Sequence, residues 1–342
     1  MKKVLGSILQ WTISIGLMVG ALYFAFKDIA FNDITNVLIN EVNYLYPFLS
    51  IPVILLSHYV RAIRWKTFLD PVKKVDSTWN LFSAVMILYA VNTIIPRGGE
   101  FLRPYVISKR EKISYSSTFA TIVLERVIDV ISLMVVFGII FVLLSEEILK
   151  ILPAQVNQNS IIILSTMIIV VALLNLYPPF VDFMLRYTVK FFSESLYEKL
   201  KDLFDKFKKG LYILKSPSKY FRIAVESLLI WVLYALPLFI TFYAFDFQSE
   251  LNLGFQDSLM LVVVAGIAVT IAPSPGGAGV YHLFMQQSMV NLYNVDASTA
   301  LAFATVVHGF SVISQTVVGF MFFKREGLKS MIPKKEVQEE II

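Results

Sequence analysis

Long apolar stretches separated by clusters of charge dominate the sequence. A helix of about 20 apolar residues spans a hydrocarbon core about 30 Å thick. Six stretches meet this requirement, and we expect spans at 5–26, 45–63, 115–144, 160–185, 223–245 and 298–323. The first is too long for the apolar region of a cleaved secretory signal, so we expect it to remain as a span. The pattern predicts an all-α fold, a polytopic bundle of membrane helices.

Two further apolar stretches, 79–110 and 257–291, are interrupted in the middle. The interruptions read IPRGGE at 95–100 and PSPGGAG at 273–279. Proline removes a backbone donor and glycine weakens a helix, so each motif should end a helix. Irregular backbone at membrane depth is tolerated only where it is buried in protein or lines a cavity. We therefore expect two re-entrant helical hairpins.

The distribution of Lys and Arg supports this topology. If both hairpins return to the side from which they enter, all but three of the 30 basic residues fall at the N-terminus, between 61 and 112, between 186 and 222, or after 323. Basic residues mark cytoplasmic segments of membrane proteins. We therefore expect a multi-pass protein of the cytoplasmic (inner) membrane with both termini in the cytoplasm.

Each half of the chain then contains two spans, a broken hairpin and a further span. The first half starts inside and the second starts outside, so the chain is expected to be a single domain, 1–342, built as an inverted repeat of about 1–150 and 160–325. The segment 186–222 is expected to be an amphipathic cytoplasmic linker. We expect 333–342 to be a disordered tail. Paired interruptions of this kind point to a binding site near the membrane midplane.

Composition narrows the function classes. The chain is 57% hydrophobic, 16% charged and free of cysteine, and it contains only three histidines. Thiolate chemistry is excluded, and a histidine-rich metal centre is not expected. The net charge of +5 arises from the cytoplasmic clusters, so we expect no nucleic-acid partner. No catalytic or cofactor motif is recognisable, and we expect no metal, no cofactor and no enzymatic activity.

The first interruption carries the first group of candidate site residues, which are Arg97, Gly98, Gly99, Glu100 and Arg103. A broken helix leaves backbone N–H groups unpaired at the positive end of a helix dipole. Arginine adds a fork of donors suited to phosphate. We interpret this segment as a cradle for a lipid phosphate. The alternative is a cytoplasmic turn held together by an Arg–Glu pair.

Three ionisable residues lie within the third predicted span: Glu125, Arg126 and Asp129. Glu125 and Asp129 share one helix face, and Arg126 can pair with Asp129 at a spacing of three. Charged groups inside spans usually face the bundle interior or a water-filled cavity. We expect a buried charge network beside the first hairpin. It could bind substrate, relay protons or hold Arg97 or Arg103 in place, or be purely structural.

The second interruption resembles a phosphate-binding loop only superficially, since it lacks the Lys-Ser/Thr ending and the preceding strand. Its glycines permit a tight break, and its freed N–H groups are candidates for headgroup contact. The candidate residues here are Pro273, Ser274, Pro275, Gly276, Gly277 and Gly279.

Five further residues are candidates on weaker grounds. Arg61, Arg64 and Trp65 end the second predicted span, where they could contact headgroups or act only as a topology anchor with an aromatic residue of the membrane interface. His282 follows the second interruption and is a candidate for a proton-linked group. His308, in the last span, is interpreted as an interhelical contact, with a place in the cavity as the alternative.

The order of the motifs resembles a known family. RAIRW from Arg61, NTIIPRGGEFLR from Asn92, ERVID from Glu125 and PSPGGAGV from Pro273 occur in the same order in the membrane region of lysylphosphatidylglycerol synthases. That flippase-like family also includes many stand-alone membrane proteins. The resemblance covers almost the whole chain. Two positions depart from it, because many relatives carry glutamate at His282 and arginine at His308.

The resemblance implies binding and translocation of a phospholipid or lipid-linked substrate between leaflets. The soluble aminoacyl-transferase domain of the bifunctional members has no counterpart before Ile342, so synthesis of lysyl lipid is not expected. The alternative is a non-transporting membrane subunit that presents lipid to a separate synthase or glycosyltransferase, which makes a lipid-modifying enzyme a candidate partner. An intramembrane enzyme is not favoured, because no nucleophile or metal set is visible.

Overall fold

The computed structural model describes residues 2–143, 178–190 and 217–325, together with isolated positions between 159 and 205. The predicted tail 333–342, most of the predicted linker 186–222 and half of the predicted span 160–185 lie outside the described residues. The described helices are α1 (Lys2–Phe26), α2 (Phe31–Asn36), α3 (Leu45–Leu69), α4 (Thr78–Ile94), α5 (Gly99–Glu111), α6 (Tyr115–Leu143), α7 (Pro178–Met184), α8 (Pro217–Phe242), α9 (Phe247–Glu250), α10 (Phe255–Ile271), α11 (Val280–Tyr293) and α12 (Ala297–Arg325).

The predicted all-α, polytopic membrane architecture is confirmed. Within the described residues, three helical stretches are long and apolar enough to cross a membrane: Leu45–Leu69, Lys219–Phe242 and Ala297–Arg325. A fourth candidate is the pair Trp11–Phe26 and Phe31–Glu41, whose two parts are bent by 88°. The total of six full spans stays a prediction.

Some element boundaries differ from the predicted ones. The helix α3 continues to Leu69, six residues past the predicted end of its span. Likewise, α8 begins at Pro217, so residues 217–222 belong to this helix and not to the linker. A short helix at Phe31–Glu41, which ends in a π-helical turn, was not predicted between the first two spans. In the first two cases the helix includes polar residues beyond the apolar stretch from which the span was predicted.

Hairpin 1 consists of α4, the break at 95–98 and α5. The α4 N-terminus is capped by the Ser77 hydroxyl, which accepts a hydrogen bond from the Asn80 amide at 3.3 Å. Beyond the break, a Cβ on Gly99 would lie 2.1 Å from the Leu88 carbonyl oxygen, so only glycine allows α5 to pack this closely on α4. Lys73 Nζ, just before α4, donates to the carbonyl of Glu111 at 2.7 Å. The two ends of the hairpin therefore lie on the same side.

Hairpin 2 consists of α10, the break at 272–279 and α11. The break contains one 3₁₀ turn, Pro275–Gly277. Gly276, Gly277 and Gly279 have φ angles of 59°, 81° and 79°, a region that residues with a Cβ rarely adopt. The sequence PSPGGAG thus reverses the chain with the residues best suited to it. Both predicted interruptions are breaks between consecutive helices.

The two halves of the described structure have matching helices. Pairs in order are α3 and α8 (25 and 26 residues), α4 and α10 (17 and 17), α5 and α11 (13 and 14), and α6 and α12 (29 and 29). Their packing matches as well. Helix α3 packs on α4 as α8 packs on α10, α5 on α6 as α11 on α12, and α4 on α12 as α10 on α6. The opposite orientation of the two halves in the membrane stays a prediction.

Each hairpin has its own apolar core. One core surrounds hairpin 1 and includes Trp65, Phe68 and Ile107. The other surrounds hairpin 2 and includes Phe242, Met285 and Phe303. The interior between the two cores, where α3, α4, α6 and α8 meet, contains the charged and polar residues described next.

Candidate functional site

Four buried charged residues and the half-buried Asp129, from three helices, form what we call the arginine cluster. Helix α3 supplies Arg61 and Arg64, α5 supplies Arg103, and α6 supplies Glu125 and Asp129. The side chains of the three arginines and of Glu125 are at most 6% exposed, and that of Asp129 is 23% exposed. Burying a charge costs several kcal/mol unless it is paired, so each charge here requires the others.

Glu125 lies at the centre of the cluster. Its Oε1 accepts hydrogen bonds from Arg61 Nε at 2.6 Å and from Arg103 Nη1 at 3.1 Å. Its Oε2 lies 3.0 Å from Arg103 Nη2. Arg103 therefore hydrogen-bonds the carboxylate through Nη1, while its Nη2 makes an ion-pair contact with Oε2 that is not a hydrogen bond.

Asp129 lies one turn further along α6 and completes the cluster. Its Oδ2 accepts a hydrogen bond from Arg61 Nη2 at 2.6 Å, and its Oδ1 accepts one from Arg64 Nη2. Arg126 Nη1 approaches the same carboxylate at 3.4 Å, at the predicted spacing of three residues. Glu125 and Asp129 share one helix face, as predicted, and that face points at α3.

One further nitrogen of each α3 arginine donates to hydroxyl groups, whereas Arg64 Nε is buried without a hydrogen-bond partner. Arg61 Nη1 donates to Tyr89 Oη and to Tyr234 Oη, both at 3.0 Å. Arg64 Nη1 donates to Ser227 Oγ at 2.9 Å. Tyr234 and Ser227 belong to α8, in the second half of the chain, so the cluster links the two halves.

Arg103 is enclosed on its remaining side by Trp65. Its guanidinium carbon lies 3.9 Å from the centre of a Trp65 ring, and the indole Nε1 donates to Thr121 Oγ1 at 2.9 Å. Both side chains are fully buried. Cation–π contact of this kind favours the charged guanidinium where water is absent.

The cluster carries more positive than negative charge. Three guanidinium groups face two carboxylates, which leaves one excess positive charge in the buried part. On its open side, Arg126 is 38% exposed and lies 3.8 Å from Glu100, which is 27% exposed. Counting Arg126 and Glu100 as well leaves the excess at one positive charge. An anion can therefore approach a net cation from the direction of Arg126.

The two breaks contact one another. Arg97, with a φ of 59°, donates from Nη2 to the carbonyl of Thr270 at 2.7 Å, so a residue of break 1 caps the last turn of α10. Thr93 Oγ1 lies 3.1 Å from Thr316 Oγ1 on α12. A Cβ on Gly276 would lie 3.5 Å from the Cα of Thr93. The structure thus brings Arg97 to break 2, whereas Arg103 belongs to the arginine cluster.

The remaining residues of the breaks have mainly local contacts. Gly99 N donates to Asn92 Oδ1 at 2.8 Å, and a Cβ on Gly98 would lie 2.6 Å from Ile95 Cγ2. In break 2, Ser274 Oγ donates to the carbonyl of Ala278 at 2.7 Å. The half-buried Pro273 and Pro275 flank Ser274. A Cβ on Gly279 would lie 2.4 Å from the carbonyl oxygen of Met18, so this glycine packs directly on α1.

The two histidines near break 2 contact each other. His308 Nε2 lies 2.9 Å from the carbonyl oxygen of Gly276, an interhelical contact of the kind interpreted from the sequence. The rings of His282 and His308 are 4.9 Å apart in an edge-to-face arrangement, and Tyr281 stacks on His308 at 4.8 Å. No group of three or more His, Asp or Glu residues in the described part of the chain is arranged as a metal site.

Sequence reasoning missed several residues of this interior. It treated Arg61, Arg64 and Trp65 as the end of a span, but the helix continues and all three are buried. The spacing of Arg61, Arg64, Trp65 and Phe68 indicates one buried face and was the available signal. Nothing in the sequence around Tyr234 marks it as a partner of Arg61, because the contact joins residues 173 positions apart.

Comparison with known proteins agrees with the motifs. The model of the family described as lysylphosphatidylglycerol synthase TM region matches residues 11–319. The chain is 24% identical to glycosyltransferase AglD of Haloferax volcanii over 290 residues, which are 78% of this chain and 46% of that protein, so it spans about half of that relative's length.

Two relatives from other archaea carry no activity in their names. The UPF0104 membrane protein PH1989 of Pyrococcus horikoshii is 25% identical over 288 residues, covering 79% of this chain and 84% of that protein. The UPF0104 membrane protein MJ1595 of Methanocaldococcus jannaschii is 34% identical over 104 residues, 30% of this chain and 31% of that protein. Because the family match covers most of its length, the chain belongs to the family of lysylphosphatidylglycerol synthase transmembrane regions.

Proposed function

We propose that the chain binds the anionic headgroup of a phospholipid or lipid-linked substrate inside the bundle and moves it between the leaflets. The observation that carries this proposal is the arginine cluster, which holds one positive charge in excess within a membrane protein. Ionisable groups inside membrane proteins are costly and mark substrate or ion pathways. A lipid phosphodiester has the single negative charge that this cluster lacks.

The headgroup would first meet Arg126. This residue has the most exposed of the arginine side chains that contact the cluster carboxylates, and its contacts with Glu100, Glu125 and Asp129 are long, at 3.4 to 3.9 Å. Such contacts are weaker than the short bonds of Arg61 and Arg103. A phosphate could bind Arg126 alongside Glu100 and leave the buried pairs intact.

The contact between the breaks suggests how a path across the membrane opens. Arg97 and Thr270 join break 1 to break 2, and Thr93 and Thr316 join α4 to α12. Under the proposal, this junction separates the arginine cluster from the far side of the membrane while the site is loaded. Breaking it would expose the bound headgroup to the other leaflet, as in alternating access around a fixed site.

The acyl or prenyl chains would remain in the bilayer. Large apolar side chains around the breaks are strongly exposed: Ile94 is 55%, Phe101 60% and Ile271 77% exposed. Charged and apolar groups thus lie side by side near Arg97. A lipid with a polar head and long chains needs both kinds of surface.

The proposed orientation places the chain in the inner (cytoplasmic) membrane of a bacterium or archaeon, with both termini in the cytoplasm. Under this topology hairpin 1 enters from the cytoplasm and hairpin 2 from the outside. The basic segments identified from the sequence support it. Hairpin 1 and its arginine cluster then serve the inner leaflet.

Arg126→Gln in proteoliposomes tests the proposal. Vesicles of phosphatidylcholine with a trace of fluorescent phosphatidylglycerol would be treated with a reductant that bleaches only the outer leaflet. We expect wild type to make nearly all of the label accessible, and Arg126→Gln to slow this at least about tenfold, the equivalent of 1.4 kcal/mol. Lys27→Gln is the control, since the Lys27 side chain is 44% exposed and pairs with the exposed Asp28 at the end of α1. Equal rates in Arg126→Gln and Lys27→Gln would refute the role of the cluster.

A second candidate function is a membrane subunit that presents a lipid substrate to a separate synthase or glycosyltransferase. The relative named glycosyltransferase AglD is about twice the length that the match covers, which favours a link between this membrane region and such an enzyme. In this case we propose no catalytic role for the chain itself. A soluble transferase that co-purifies with the chain, together with no lipid movement by the isolated protein, would favour this function over translocation.

A further inference from the structure

His58 is a buried titratable residue that the proposed translocation does not use. It lies on α3, one turn before Arg61, and is 2% exposed. Its ring packs on Tyr89 with centroids 4.2 Å apart and lies 6.2 Å from the ring of Tyr234. Neither ring nitrogen has a hydrogen-bond partner. A buried polar group left unpaired costs about 1–3 kcal/mol, and a phenyl ring would fill this space without that cost.

The groups around His58 come from every helix that packs on this part of α3. Arg61 follows His58 by one turn of α3 and donates to the hydroxyls of Tyr89 and Tyr234, and Arg103 on α5 shares Glu125 with Arg61. Tyr89 on α4 and Tyr234 on α8 contact its ring, while Glu125 and Asp129 on α6 bind Arg61. On α12 the described titratable side chains are His308, which contacts break 2, and Lys324 and Arg325 in the last turn. The nearest charges are therefore those of the arginine cluster.

Charge balance links His58 to the anion site. The empty cluster has one excess positive charge, so a proton on His58 would raise the excess to two in a buried space, which is strongly disfavoured. A bound phosphodiester brings the excess to zero. A proton on His58 then returns it to one, the value of the empty cluster. We infer that binding of a phosphate-bearing headgroup at the arginine cluster draws one proton onto His58.

The step involves proton transfer only. One ring nitrogen of the neutral imidazole accepts a proton that the buffer acid releases to the solvent, the imidazole becomes imidazolium, the buffer becomes its conjugate base, and no bond of the headgroup is formed or broken. Histidine is the side chain whose charge changes in the physiological pH range. The inference rests on the proposed function and adds an energy source to it. A headgroup that crosses the membrane with a proton is driven by the pH gradient.

Isothermal titration of the full chain in detergent tests this inference. Dihexanoyl phosphatidylglycerol is the probe, and two buffers with different ionisation enthalpies are used near neutral pH. The difference in heat gives the number of protons taken up for each headgroup bound. We expect about one proton for wild type and about zero for His58→Gln and His58→Asn, because neither amide can be protonated in this range. His282→Gln is the matched control, and it should keep the proton uptake for each headgroup bound whatever its affinity.

The outcomes separate the inference from the proposed function. Wild type that binds the probe without proton uptake overturns the inference and leaves the anion site intact. Wild type that does not bind the probe refutes the proposed function and the inference with it. Uptake that persists in His58→Gln, or that disappears in His282→Gln alone, assigns the proton to another group and overturns the role of His58. The proton uptake of the wild type can overturn the inference by itself, so the inference is tested even if a variant misfolds.

Discussion

The two halves of the bundle share a helical frame but differ in what they place inside it. Glu125, Arg126 and Asp129 are residues 11, 12 and 15 of α6, and the corresponding positions of the equally long α12 are Val307, His308 and Ser311. Hairpin 1 supplies Arg103 to its interior, whereas at the same position hairpin 2 has Phe284. At these positions the first half thus carries charge and the second half is neutral, although Glu226 and Asp257 are buried elsewhere in the second half. Since the half that is neutral at these positions has the same frame, the fold does not require the charges of the cluster.

Loss of the Glu125 charge should produce the largest loss of stability, and so the largest energetic difference between the two halves. Glu125→Gln leaves the buried arginines without their central partner, and we expect it to lower the free energy of unfolding by about 3–5 kcal/mol. Chemical unfolding in detergent, followed by tryptophan fluorescence, measures this loss. Glu111→Gln, which removes only the exposed contact with Lys73, should cost less than about 1 kcal/mol.

A double substitution sharpens this test. Arg103→Met with Glu125→Gln removes one charge of each sign, so we expect the pair to be less destabilising than the sum of the two single changes. An additive result would mean that Arg103 and Glu125 do not stabilise one another. The charged half would then resemble the neutral one in having no stabilising ion pair at these positions.

The glycines at the two breaks should have the next largest effect, and here the halves should behave alike. Gly99→Ala places a methyl group 2.1 Å from the Leu88 carbonyl oxygen, and Gly279→Ala places one 2.4 Å from that of Met18. We expect each to lower the free energy of unfolding by about 1–3 kcal/mol or more. Gly138→Ala is the control, since no atom lies within 4 Å of the added methyl, and it should be neutral or stabilising. Tolerance of Gly99→Ala alone would show that the breaks are not equivalent.

The hydrogen bond of His308 should contribute less than any charge of the cluster. His308→Ala removes the contact with the Gly276 carbonyl and the stacking with Tyr281. We expect a loss of about 1 kcal/mol, measured by the same unfolding experiment. A loss as large as that of Glu125→Gln would erase the energetic difference between the two halves.

The smallest expected effect is at Asp296, just before α12. Its carboxylate accepts hydrogen bonds from the Ser298 hydroxyl and from the amides of Ser298 and Thr299, and the Ser298 hydroxyl contributes most to holding its pKa below the usual value. The stabilisation is complete above the ordinary aspartate pKa of about 4 and is lost as the pH falls through the lower folded value. The thermal midpoint of Asp296→Asn should therefore approach that of wild type as the pH falls. A constant difference down to the lowest pH would contradict this assignment.

The frame could be predicted from the sequence because apolar runs and helix breakers act locally. Pro96 and the glycines of PSPGGAG located both breaks, and the spacing of Glu125 and Asp129 indicated a shared face. The pairing of Arg61 and Arg64 with these carboxylates could not be predicted, because it depends on the packing of α3 on α6. The same holds for Arg97, which looked like a partner of Arg103 but caps α10 in the other half. Local patterns specify elements, and contacts distant in sequence decide which charges meet.

The bond from Arg97 to Thr270 has a mechanical consequence. A single side chain at the tip of hairpin 1 binds the last turn of the helix that leads into the break of hairpin 2. Under the proposed topology, in which the hairpins enter from opposite faces of the membrane, this bond couples movement of one hairpin to movement of the other without a relay of intervening helices. The two hairpins of such a protein would move together, and a restraint on either hairpin would stop the movement of both.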